Sequence, residues 1–69
     1  MDSIVENEIC RLIDNEIGDT YRLQHILESM QKNKKLYNSD RNFLYKLVKE
    51  HTQDEEVFEH VLFAISVKN

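Results

Sequence analysis

The side chains best suited to act as nucleophile, base or metal ligand are Cys10 and the three histidines, His25, His51 and His60. A catalytic thiol needs a base held within hydrogen-bond reach. Cys10 instead borders an apolar arc of Val5, Ile9, Leu12, Ile13 and Ile17, where a small packing residue is the ordinary use of a cysteine. Glu56 and His60 stand four apart, so one helix face would carry both. A closed zinc site needs four ligands, and no HxxxH or HxH pair adds to them. His51 falls on a stripe with Phe43, Leu44, Leu47 and Val48, and reads as a half-buried packing residue at a helix end. There is no glycine-rich phosphate loop and no G-x-S-x-G elbow. The expectation is a non-enzyme with no catalytic residue, no metal and no cofactor.

The 69 residues include no proline and one glycine. Tight β-hairpins draw on glycine or Asn-Gly turns, so the composition points to an all-α fold. A chain of this length makes one domain with a thin stability margin. One cysteine allows no intrachain disulfide, which leaves helix packing, association or both to supply the stability. Hydrophobic residues at 41% and charged ones at 32% suit a soluble domain. No apolar run approaches the roughly 18 residues of a membrane span. The start, MDSIVENE, lacks the basic region of a signal peptide. A cytoplasmic protein without membrane contact is expected.

Helical spacing and cap residues divide residues 1–69 into a single domain, a small bundle of four short helices joined by short loops. The expected helices are about 3–17, 20–33, 39–51 and 53–67. Ser3 with Glu6, and Thr52 with Glu55, form capping boxes. Gly18 is placed to end the first helix in a left-handed conformation, after which Asp19 or Thr20 caps the second. Asn38 or Ser39 caps the third, with Asp40 in its first turn. Short connections should set neighbouring helices roughly antiparallel. Leu36 and Tyr37, in the loop KNKKLYNSDR, are expected to fold back over the core.

The fourth helix carries a broad apolar stripe, and Phe63 and Val67 lie outside it. Two apolar residues four apart on an outer face suggest self-association, so a homodimer is expected. Charge is divided along the chain: residues 1–19 carry net −5, 20–51 net +4 and 52–69 net −3. The basic middle offers Lys34, Lys35, Tyr37, Arg41, Tyr45 and Lys49 to an acidic partner, which could be a second copy. Nucleic acid is a weaker alternative. The connection between helices two and three is longer than a helix-turn-helix allows, and the net charge is −4. A third reading is an acidic decoy that blocks a nucleic-acid-binding protein through Glu6, Glu8, Asp14 and Glu16.

Residues 18–48 resemble the short helical-hairpin interaction modules appended to some archaeal proteins and, more loosely, short C-terminal oligomerisation hairpins of bacterial proteins. The resemblance rests on Gly18-Asp19, Arg22-Leu23, Ile26, Met30, Leu36-Tyr37, Ser39-Asp40 and Leu44. It implies an interaction or assembly role and no catalytic residue. This chain departs from those hairpins by adding a helix on each side. The function expected is a non-catalytic protein–protein interaction module whose partner is of unknown identity.

Overall fold

A computed structural model describes residues 3–66. It contains four helices: α1 (Ser3–Asp14), α2 (Thr20–Gln31), α3 (Asn38–His51) and α4 (Glu55–Ser66). The all-α expectation therefore holds. Val67 lies outside the described residues.

The core is built from two or three residues of each helix at helical spacing. Val5, Ile9 and Leu12 of α1 meet Leu23 and Ile26 of α2, Leu44 and Val48 of α3, and Val61 and Ile65 of α4. Hiding each such side chain contributes about 1.5–3 kcal/mol. Consecutive helices pack against each other, and α4 returns against α1 to close a ring. The radius of gyration is 10.6 Å, close to the roughly 11 Å expected of a chain this long. Polar contacts confirm the antiparallel arrangement of two pairs. Gln31, the last residue of α2, bonds to Glu6 in the first turn of α1. Arg41 near the start of α3 reaches the Ile65 carbonyl near the end of α4.

The helix ends differ from the sequence reading in instructive ways. α1 stops at Asp14, a turn short of Ile17. The Ile17 amide donates to the Leu12 carbonyl at 2.9 Å and the Glu16 amide to the Ile13 carbonyl at 3.0 Å. That is a Schellman ending, and its left-handed residue is Glu16, with φ 54°. Ile17 remains half-buried beside the core, which is why its apolar character looked helical. Gly18 takes a positive φ of its own, 71°, in the turn that follows. α2 ends by the same device at Gln31, with Asn33 at φ 56°. Asp19 does cap α2, accepting from the Arg22 amide.

Neither proposed cap of α3 is used. Tyr37 occupies the cap position, and Asn38 is already helical. Thr52 does not cap α4. It ends α3, while Asp54 accepts from the Glu56 amide at the start of α4. Leu36 is half-buried against the core, but Tyr37 is 75% exposed and covers nothing. His51 is also exposed rather than packed.

Two of the three left-handed positions, Gly18 and Glu16, make opposite predictions. A Cβ at Gly18 would stand 3.0 Å from Leu47 Cδ1 in a conformation that side chains resist. Gly18→Ala should therefore destabilise the fold by about 1–2 kcal/mol. Glu16→Gly relieves its left-handed strain and should stabilise by up to about 1 kcal/mol. Urea denaturation of both variants gives the two signs; an unchanged midpoint for Gly18→Ala would refute the assigned geometry.

Candidate interaction surface

Before any surface can bind, the helices that present it must be held. Glu8 lies on the inner side of α1 and is buried. Its carboxylate accepts two bonds from Arg11, at 2.9 Å and 2.8 Å, and a third from the Thr52 hydroxyl. The same guanidinium donates to the His51 carbonyl at 2.9 Å. The hydrogen bond from Arg11 is the chief reason the Glu8 carboxyl sits below its usual range; burial opposes it and Thr52 assists. On the other side of the bundle Arg22 pairs with buried Asp40 at 3.0 Å and lies over the Phe43 ring, 4.6 Å from its centre. Among the described residues, no buried side-chain polar atom lacks a partner.

The residues expected to meet a partner separate into three places. Lys34, Lys35 and Tyr37 stand together around a shallow concavity of about 240 Å³ at the C-terminal end of α2. The Schellman turn through Asn33 swings the loop back, so Lys34 and Lys35 join His25, Glu28, Ser29 and Lys32 of α2 and its cap. Tyr45 and Lys49 lie elsewhere on α3. Tyr45 is tilted against Phe58 of α4, with ring centres 6.1 Å apart, and the Lys49 ammonium sits 5.8 Å from the Tyr45 ring. Arg41 is not free for a partner. It is half-buried and bonds to Asn38 as well as to the Ile65 carbonyl.

Phe63 is 74% exposed on α4, facing away from the buried Val61 and Ile65. Tyr21, which the sequence reading passed over, is 85% exposed on the first turn of α2. Its signal was present: it falls outside the stripe of Leu23, Ile26, Leu27 and Met30. His25 and Ser29 could also have been found, since they precede Lys32 by seven and three residues and so share its helix face. Of the acids assigned to a decoy surface, Glu8 is turned inward and Glu6 accepts from Gln31, while Asp14 and Glu16 are exposed.

Cys10 is half-buried, in keeping with a packing role. Among the described residues no group of three His, Cys, Asp or Glu side chains is placed to hold a metal ion. No helix among them is long and apolar enough to cross a membrane. The fold defines a small all-α bundle whose outward features are exposed aromatic rings and a lysine-rich concavity. No protein-family model matches the chain, nor does any curated protein or solved structure.

Glu8 carries a testable pH dependence. Its carboxyl holds its charge more tightly when folded than when unfolded. The network thus contributes its full stability above the ordinary glutamate value and loses it as pH falls through the lower folded one. Glu8→Gln should cost about 1–2 kcal/mol at pH 7, and the deficit should shrink toward pH 3. Denaturant titrations of both proteins at the two pH values measure this; a deficit that grows in acid would overturn the assignment.

Proposed function

We propose that the chain is a small non-catalytic protein–protein interaction module of the cytoplasm, serving an adaptor, assembly or regulatory role, and that it forms a homodimer through α4. The observation that carries this reading is Phe63: a whole phenyl ring left 74% exposed by a helix whose opposite face is fully committed to the core. A two-fold interface hides that ring in both copies, and burial of each is worth about 1.5–3 kcal/mol. Val67, four residues on, belongs to the same proposal. The resemblance of residues 18–48 to helical-hairpin assembly modules supports the same role.

Lys34, Lys35 and Tyr37 form a second contact surface, for an acidic partner. The nucleic-acid reading ranks lower, because Arg41 is engaged internally and Glu28 stands among the lysines. The decoy reading loses Glu8, whose charge is spent inside the fold.

Light scattering decides the α4 dimer. In about 0.5 M NaCl, which screens contacts between exposed charges, the wild type should show twice the chain mass, and Phe63→Glu should show the mass of one chain with its helical circular dichroism intact. A monomeric wild type at high concentration would remove the proposal.

A further inference from the structure

We propose that the basic concavity at the end of α2 receives the acidic end of a second copy of this chain, so that copies join head to tail. This rests on the interaction-module reading and names the occupant of its lysine-rich surface.

The placement of charge comes from bonds within the bundle. Gln31 bonds to the first turn of α1, so the loop that follows it leaves α2 at that end. Arg11, in the last turn of α1, bonds to the His51 carbonyl, so the α3–α4 corner lies at the other end. The Lys34 amide bonds back to the Ser29 carbonyl, so exposed Lys32, Lys34 and Lys35 gather around the last turns of α2, toward that pole. Exposed Asp14 and Glu16 follow α1 into the opposite pole, where exposed Asp54 and Glu55 begin α4. The nearby bases do not cancel these acids. Arg11 is bound to Glu8, and Lys49 lies over Tyr45.

The wall of the concavity favours a broad acidic surface over a small free anion. Glu28 and the carbonyl end of α2 lower the positive potential within the concavity, while Lys32, Lys34 and Lys35 line it as exposed side chains. Tyr37 adds a ring that is 75% exposed and available to pack. One copy carries both complementary surfaces at opposite ends and can use both at once. Such a contact is heterologous and grows into rings or open chains rather than closing on a pair. It is built from exposed charges, so it should be weak and salt-sensitive.

The test removes the α4 contact with Phe63→Gln and follows mass by sedimentation velocity at high protein concentration. At low salt the mean mass should rise above one chain, and about 0.5 M NaCl should return it to one chain. In the same background, Lys34→Glu with Lys35→Glu should stay monomeric, as should Asp14→Lys with Glu55→Lys. An equimolar mixture of those two should associate again, because each then offers what the other lacks. Helical circular dichroism confirms that each variant is folded. A Phe63→Gln protein that stays monomeric at low salt, or a mixture that does not associate, overturns this inference. If the wild type is nevertheless a dimer, the α4 reading survives. Salt-dependent association in Phe63→Gln, with the same behaviour in the wild type, supports this inference and removes the α4 dimer.

Discussion

One buried carboxylate holds the arrangement together. Glu8 is placed among apolar side chains of α1, where an unpaired charge would cost several kcal/mol. Arg11, one turn later, satisfies it from the same helix, and Thr52 satisfies it from the far end of α3. Arg11 then spends a remaining donor on the His51 carbonyl. Three polar partners thus pin α1 to the corner from which α4 departs. The apolar residues alone would favour compaction, but they are similar Val, Ile and Leu side chains that could slide past one another. A charge that tolerates only one set of partners selects the register.

Much of the bundle was legible because apolar periodicity reports directly on which face is buried. The residues at i, i+4 and i+7 of α1 are all in the core, and the stripe of α2 faces inward as expected. The ends were less legible because several residues can serve each cap. At α1 the glycine drew attention two residues past the position that turns left-handed, since glutamate can tolerate that conformation when the Schellman bonds compensate it. At α4 the capping-box pattern was misleading for a different reason. The Thr52 hydroxyl had a stronger use on Glu8, a residue 44 positions away that no local pattern could reveal.

The same limit applies to the surface. Lysines near one another in sequence stayed together, because a tight turn keeps Lys34 and Lys35 beside α2. Arg41, only a few residues further on, was drawn into the bundle by the carbonyl of Ile65, and Asp40 by Arg22. Formal charge along the chain therefore overstated what is free to meet a partner. Long-range ion pairs consumed part of it, and only the fold tells which part. Phe63 was easier to place: an apolar residue off the stripe of a core helix has few ways to be hidden within so small a molecule.

Three of the four seams in this ring join consecutive helices, and only the α1–α4 seam spans the whole chain. Local seams can form with little loss of chain entropy, whereas the last requires the two outer helices to find each other. That closing step should set the folding rate. The same seam is where exchange between molecules would begin. If α1 leaves its place in one copy, the site it vacates matches the α1 of any neighbour, and residues 15–19 become the hinge of a swapped pair.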